Sequence, residues 1–249
     1  MMKETRILMG MPVTIEVVDA WVTQATLNSI FGYFEYVDAT FSTYKETSEI
    51  TRLNKYEITL EQASEDVQTI FALAQETRNE TDGYFDIELD GYYDPSGLVK
   101  GWAIYNASQI LHRDGFRNYY VDAGGDIQAA GKNSQGEKWR VGIRNPFNIN
   151  EIVKVLAVSN CGVATSGTSI RGQHIYNPKR PAQTINDIIS LTVIGQNIYE
   201  ADRFATAAFA MGYKGIDYIE HLNGFEGYLI DTNGIATLTS GFARYSTDD

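Results

Sequence analysis

The chain has little cysteine and little proline, and it contains no long apolar run. Its single cysteine, Cys161, excludes an internal disulfide and a zinc site built from several cysteines. Five prolines and 43% hydrophobic residues among 249 are typical of a folded globular protein. No uncharged apolar stretch reaches about 18 residues, and the N-terminus lacks the apolar core of a signal peptide. These absences favour a cytoplasmic protein without a membrane anchor, although a chain from which an export leader had been removed would look the same.

Positive charge is also scarce, because 20 lysines and arginines stand against 32 aspartates and glutamates, for a formal charge of −12. Nucleic acids and anionic membrane surfaces both attract a basic field, so neither is expected as the main partner. A polyphosphate substrate would need local positive charge or a metal ion to be held by so acidic a chain.

Apolar residues at helical spacing predict three helices in the first half of the chain. They contain Leu27, Ile30, Phe31 and Phe34, then Val67, Ile70, Phe71 and Ala74, and then Ala103, Ala107, Ile110 and Leu111. Gly83 and Gly115 are predicted to end the second and third helices, since glycine readily adopts the left-handed conformation found at helix ends.

Alternating apolar residues predict strands before the first helix, around Gly124-Gly125, and over much of the second half. Near the C-terminus, Asn233-Gly234 predicts a hairpin turn. Helices set among antiparallel hairpins favour an α+β fold over a regular parallel α/β fold. We expect a single domain over 1–249, or two closely packed subdomains within it.

The segment "EADRFATAAFAMG" (200–212) predicts a buried helix that carries two polar residues, Asp202 and Thr206, four positions apart. Their oxygens suit a hard metal ion. Two simpler interpretations compete with this one. A carboxylate in a first turn stabilises the helix dipole, and a threonine within a helix often donates to the carbonyl four residues earlier.

Four further segments carry candidates. "DPSGLVKG" places Gly97 and Lys100 at a helix start, which suits a phosphate and suits equally a turn with a solvated lysine. Gly124-Gly125 favours a hairpin turn that also lets a ligand approach the backbone. His174 lies in a loop, where functional side chains concentrate, although most loop histidines are merely exposed. Tyr44 is either a flat cover for a flavin or base, or an ordinary surface tyrosine.

Taken in order, these segments resemble the ApbE-type flavin transferases, the FAD:protein FMN transferase family. The resemblance runs from "MGMPVTIEV" through "FSTYKETSEITRLN", "GYFDI", "DPSGLVKGWAI", "VDAGGDI", "VGIRNP", "VATSG" and "HIYNP" to "EADRFATAAFAMG" and "GYLID". It implies an α+β fold around a flavin cleft and a magnesium-dependent transfer of FMN from FAD to a threonine or serine hydroxyl, with release of AMP. The implied acceptor is a flavoprotein with a Ser/Thr-Gly-Ala-Ser/Thr type motif.

The resemblance also implies roles for individual residues. Asp202, Thr206 and the backbone carbonyl of Gly97 would bind Mg²⁺, and His174 would be the base for the acceptor hydroxyl as well as an FAD contact. The other residues implied to line the FAD site are Met9, Tyr44, Tyr84, Phe85, Asp86, Asp94 and Lys100.

The sequence departs from the family pattern at three places. Met11 replaces the usual threonine of Met-Gly-Thr, Asn177 replaces the usual aspartate before proline, and the stretch between Asp86 and Asp94 is short. Asn177 argues against a second metal in its loop. Two other functions stay open at this point, a magnesium-dependent FAD pyrophosphatase and an FAD-binding protein without catalysis.

Overall fold

The computed structural model describes residues 1–168, 172 and 175–247, and it has the α+β architecture that the sequence predicts. Eight strands form one sheet in the order β1-β2-β5-β6-β9-β10-β11-β12, with every neighbouring pair antiparallel. These strands are β1 (Met2–Leu8), β2 (Met11–Val17), β5 (Tyr119–Ala123), β6 (Asp126–Ala130), β9 (Cys161–Gly167), β10 (Ile188–Gly195), β11 (Glu226–Asp231) and β12 (Ala236–Leu238).

Two hairpins lie outside this sheet. The short one pairs β3 (Glu88–Leu89) with β4 (Tyr92–Tyr93), and the long one pairs β7 (Trp139–Asn145) with β8 (Asn148–Val158). The predicted turns at Gly124-Gly125 and Asn233-Gly234 are confirmed, because the first joins β5 to β6 and the second joins β11 to β12.

The predicted helices are confirmed, with the second ending at Glu80 and the third at Arg113, shortly before the glycines expected to stop them. Gly115 has φ +92°, a conformation that glycine adopts at little cost. The α-helices are α1 (Gln24–Phe41), α2 (Glu49–Asn54), α3 (Glu65–Glu80), α4 (Ser96–Arg113), α5 (Ile198–Ala210) and α6 (Gly215–Glu220), and short 3₁₀ turns cover Leu60–Gln62, Gly212–Lys214 and Phe242–Arg244.

The sheet separates two apolar cores. Helices α1, α3, α4 and α5 bury their apolar faces in the larger core together with one face of the sheet, including Ile15, Val121 and Leu191. The β7–β8 hairpin covers the smaller core, where Trp139 and Leu156 pack with Tyr228. In the described part of the chain, no helix has the length and apolar character needed to cross a membrane.

Candidate active site

Helices α4 and α5 pack unusually closely because glycines of α4 face α5. A Cβ atom placed on Gly101 would lie 2.6 Å from Cβ of Asp202 and 2.9 Å from the carbonyl oxygen of Ile198, and one placed on Gly97 would lie 3.2 Å from Cγ2 of Thr206. A distance of 2.6 Å leaves no room for a methyl group. The two glycines therefore allow α4 to approach the polar residues of α5.

Gly101→Ala is expected to lower the free energy of unfolding by about 1–3 kcal/mol, because the added methyl group overpacks the contact with α5. The measurement is urea denaturation of this variant beside Gly32→Ala. Gly32 lies on the exposed side of α1 and a Cβ there meets nothing within 4 Å, so the control should gain about 0.5–1 kcal/mol from better helix propensity. Equal stability of the two variants would contradict the packing argument.

Asp202 and Thr206 both form hydrogen bonds with backbone atoms of α4. The Gly101 N–H donates to Oδ2 of Asp202 at 2.7 Å, and Oγ1 of Thr206 donates to the carbonyl oxygen of Gly97 at 3.3 Å. Asp202 is five residues into α5, beyond its first turn, and only 2% of its surface is exposed. The simpler interpretations, a helix-dipole carboxylate and a threonine bonded within its own helix, do not describe these contacts.

Lys100 joins this cluster rather than extending into solvent. Its ammonium Nζ lies 2.5 Å from Oδ2 of Asp126 and 3.5 Å from Oδ1 of Asp202, and its side chain is 20% exposed. The interpretation as a solvated lysine in a turn is therefore wrong. The lysine instead brings one positive charge to the place where α4, α5 and the start of β6 meet.

Asp126 is the site residue that sequence reasoning missed. It follows the Gly124-Gly125 turn, and its Oδ1 accepts the N–H of Thr165 on β9 at 2.9 Å. A signal for it was present, since Asp126 and Gln128 occupy inward positions of β6 that ordinarily carry apolar residues. Gln128 accepts the N–H of Ile198 at 2.8 Å, which fixes the start of α5.

The cluster carries more negative than positive charge in a buried place. Burial raises the pKa of the Asp202 carboxyl well above its usual range, the Lys100 ammonium lowers it, and the neighbouring Asp126 carboxylate raises it again. Among the described residues two carboxyls face one ammonium, so a bound cation would favour the ionised form of Asp202 that burial disfavours.

The donor set fits a magnesium ion. Asp202, Thr206 and Gly97 offer one carboxylate, one hydroxyl and one carbonyl oxygen where α4 meets α5: Thr206 bonds Gly97, and Asp202, one turn earlier on α5, bonds Gly101, one turn later on α4. Within the described ranges, no group of three or more His, Cys, Asp and Glu residues could hold a metal alone. Magnesium normally takes few protein ligands and keeps waters and substrate phosphates in its other positions, so a partial set of hard oxygens is what it requires.

Four of the residues predicted to line the FAD site lie on the segment between α3 and α4. The ring of Phe85 is buried beside Gly97, with Cε2 3.6 Å from a Cβ placed there. Asp94 accepts the Ser96 N–H at the start of α4 at 3.0 Å, Asp86 lies 3.3 Å from Arg78, and Tyr84 lies under the ammonium of Lys179. The segment therefore leads directly into the Lys100 cluster.

Met9 and Tyr44 occupy other positions. Met9 lies in the β1–β2 turn with φ +53°, at the same end of the sheet as the Gly124-Gly125 turn, because Gly124 donates to the carbonyl oxygen of Pro12 at 3.0 Å. Tyr44 follows α1, and its side chain is 94% exposed. Its ring is therefore available to a ligand.

His174 lies outside the described residues, so its predicted role as base stays a prediction. The residues on either side of its segment are described. Gly167 ends β9 two residues after Thr165, whose N–H binds Asp126. Tyr176 donates its hydroxyl to the carbonyl oxygen of Asp86 at 3.0 Å, which connects the following segment to the flavin side.

A model of the ApbE family matches residues 9–93 and 90–229. Similar proteins include the FAD:protein FMN transferase of Haemophilus influenzae, 28% identical over 169 residues, which cover 63% of this chain and 49% of that protein. The FAD:protein FMN transferase of Vibrio cholerae is 30% identical over 130 residues, 49% of this chain and 39% of that protein. The matches thus span about half or less of the relatives' length.

Solved structures share the fold over nearly the whole chain. The flavin transferase ApbE from Vibrio cholerae has a TM-score of 0.85 at 22% identity and covers 98% of both chains. The ApbE protein from Thermotoga maritima also has a TM-score of 0.85, at 19% identity and 99% coverage of both chains. At this level of sequence identity, the structural similarity is evidence of a shared fold.

Proposed function

This chain belongs to the ApbE family, and from that premise we propose that it is an FAD:protein FMN transferase acting as one domain over 1–249. The observation that carries the proposal is the convergence of Lys100, Asp202, Thr206 and Gly97 where α4 meets α5. A lysine beside a partial set of hard oxygens suits a pyrophosphate bound with a magnesium ion. We take FMN as the transferred group because the relatives are named FAD:protein FMN transferases.

In the proposed reaction, a threonine or serine hydroxyl of the acceptor attacks the FMN-side phosphorus of FAD. A new P–O bond forms to the acceptor, and the bond from that phosphorus to the bridging oxygen breaks. AMP leaves with the bridging oxygen, and the hydroxyl proton goes to a base, for which His174 is the candidate. An imidazole with an ordinary pKa of about 6.5 accepts a proton near neutral pH.

The roles of the other residues follow from charge and position. Asp202, Thr206 and the Gly97 carbonyl would hold Mg²⁺, which supplies Lewis-acid stabilisation of charge on the phosphates when bound. Lys100 adds a positive charge beside the departing AMP. Phe85 and the exposed ring of Tyr44 offer apolar surface to the flavin, and Tyr84, Asp86, Asp94 and Met9 complete the proposed FAD site.

The decisive experiment incubates the protein with FAD, magnesium and an acceptor protein carrying a Ser/Thr-Gly-Ala-Ser/Thr motif. We expect mass spectrometry to find covalent FMN on the motif and chromatography to find AMP. Release of free FMN and AMP without labelling of the acceptor would identify a pyrophosphatase instead. FAD binding with neither product would identify a binding protein, and both outcomes would contradict the proposal.

Tyr44→Ala is expected to weaken FAD binding, because an aromatic ring stacked on the isoalloxazine contributes about 0.5–1.5 kcal/mol beyond the area it buries. The dissociation constant from a flavin fluorescence titration should rise about two- to twelvefold, the range that corresponds to this free energy. Tyr56→Ala is the matched control, since Tyr56 is also a highly exposed tyrosine and has no proposed role. An unchanged constant for Tyr44→Ala would make it an ordinary surface residue.

His174→Ala is expected to slow FMN transfer by about a hundredfold or more while FAD binding stays close to that of the wild type. A base assists only when the proton leaves, so its removal affects the transition state more than the bound ground state. The test pairs an FAD titration with a time course of acceptor labelling. Loss of FAD affinity would make His174 a binding residue, and transfer at the wild-type rate would exclude the base role.

A further inference from the structure

Within the described part of the chain, Lys100 contacts two carboxylates at unequal distances, and the shorter contact is the one it is expected to keep. Its ammonium is 2.5 Å from Oδ2 of Asp126 but 3.5 Å from Oδ1 of Asp202. Asp126 and Asp202 are each 2% exposed, so water screens neither carboxylate well. The shorter ion pair, with Asp126, holds the lysine in place. The longer ion pair, with Asp202, is the one that a competing cation can break.

Asp126 is itself held by a hydrogen bond to the sheet. Oδ1 of Asp126 accepts the N–H of Thr165 at 2.9 Å, and Thr165 lies on β9 in the middle of the sheet, between β6 and β10. Oδ2 of Asp126 accepts no aligned hydrogen bond in the described part of the chain, although the Lys100 ammonium is in ion-pair contact with it. A buried carboxylate oxygen in this state depends on a nearby cation.

Asp202 is held in a similar way, because its Oδ2 accepts the Gly101 N–H at 2.7 Å, but its Oδ1 lies farther from the Lys100 ammonium, at 3.5 Å. The proposed function assigns this same carboxylate to magnesium. The ammonium of Lys100 and a divalent cation bound at Asp202 would therefore repel each other strongly at such short range.

We propose that Lys100 is an exchangeable internal cation, which neutralises Asp202 when no metal is bound and is displaced toward the substrate phosphates when a divalent cation binds. Asp126 is the positioning residue that retains the lysine throughout the exchange. This inference rests on the proposed function, because it takes Asp202 as a metal ligand. It explains why a second buried aspartate accompanies a lysine that the reaction needs near the phosphates.

The test measures binding of Mn²⁺, a paramagnetic probe for the magnesium site, to the FAD-free protein at neutral pH. Free Mn²⁺ is quantified by electron paramagnetic resonance, so no catalytic activity enters the readout. Lys100→Met should bind Mn²⁺ on the order of tenfold more tightly than the wild type, because a competing charge is gone. Asp126→Asn should bind it on the order of tenfold more weakly, because it removes a negative charge and leaves the lysine to Asp202 alone.

Lys3→Met is the matched control, since Lys3 is paired with Glu16 at 3.0 Å on β1 and β2 and has no part in the cluster. It should bind Mn²⁺ like the wild type. Unchanged or weaker binding by folded Lys100→Met would overturn the exchange while leaving Asp202 as a metal ligand. Absence of Mn²⁺ binding in the wild type and in Lys100→Met would overturn the metal assignment itself, and the exchange with it.

A second measurement uses the wild-type chain and does not depend on the folding of any variant. Lysine acetylation by acetic anhydride is followed by mass spectrometry with and without saturating Mg²⁺, in the absence of FAD. Displacement from Asp202 should make Lys100 react several-fold faster, while the rate at Lys3 stays constant. An unchanged rate at Lys100 on magnesium binding would overturn the proposal.

Discussion

Asp202→Asn is expected to lower the rate of FMN transfer by at least about 10²–10³-fold, the loss that follows when a preorganised electrostatic group is removed from an active site. The substitution keeps a side-chain oxygen for the Gly101 N–H at 2.7 Å, so the contact between α4 and α5 is preserved. It removes the only charged group among the proposed protein ligands. A hydroxyl, a carbonyl and an amide are weak competitors for a strongly hydrated magnesium ion.

The measurement is a time course of covalent FMN on the acceptor at several magnesium concentrations. Asp122→Asn is the control, because Asp122 also accepts a backbone N–H, that of Gly125 at 2.8 Å, and burial raises its pKa to about 6. It lies on β5 and affects the Lys100 cluster only through repulsion with the Asp126 carboxylate, so its variant should lose far less of its transfer rate than Asp202→Asn. Full activity of Asp202→Asn in the presence of a chelator would exclude the metal role.

The sequence placed Asp202 and Thr206 on one face because both lie on one helix, where a spacing of four residues defines a shared face. Their role as metal ligands stays a prediction. Gly97 and Lys100 were predicted in the same way from a local segment. The spacing of residues along one segment does not predict how closely two helices pack. The hydrogen bond from Thr206 to Gly97 and the approach of Asp202 to Gly101 depend on how α4 packs against α5.

Asp126 was missed for the same physical reason. Its segment is typical of a hairpin turn, and the hairpin is present, but its importance comes from Lys100 on a helix earlier in the chain and from Thr165 on a later strand. A carboxylate in an inward strand position is costly unless it is paired. A carboxylate in an inward strand position is therefore a candidate site residue even when the surrounding sequence is typical of a hairpin turn.

The edge strand β1 was not predicted, because its inward residues are not all apolar. Glu4 and Arg6 alternate with outward residues, and they are tolerated there because they pair at 2.7 Å and the Arg6 guanidinium covers the ring of Phe31 at 4.2 Å. Apolar alternation detects strands that bury one face completely. An edge strand whose inward residues include a partly exposed ion pair gives no such signal.

Arg203→Met is expected to lower the free energy of unfolding by about 3 kcal/mol, because it removes the ion pair that joins α5 to α3 and a second ion pair within α5. Arg203 is buried, forms an ion pair with Glu80 of α3, and lies 2.6 Å from Glu200 of α5. Loss of one partner of a buried pair costs about 3–5 kcal/mol, and the lower end applies because the side chain of Glu80 is 42% exposed. For a chain of this size, that corresponds to a melting temperature lower by about 6–12 °C.

Arg113→Met is the control for the loss of an arginine, because Arg113 lies on the exposed end of α4 and its bond among the described residues is to Gln109 of the same helix, at 3.3 Å. Its stability should change by no more than about 0.5 kcal/mol.

Although Arg203 is the neighbour of Asp202 in sequence, it faces α3 while Asp202 faces α4. Substitution of Arg203 should therefore affect stability, and substitution of Asp202 should affect metal binding and catalysis. Below its melting temperature, Arg203→Met should therefore keep the Mn²⁺ affinity of the wild type. A variant that is stable but binds no metal would contradict this division of α5 into a structural face and a ligand face.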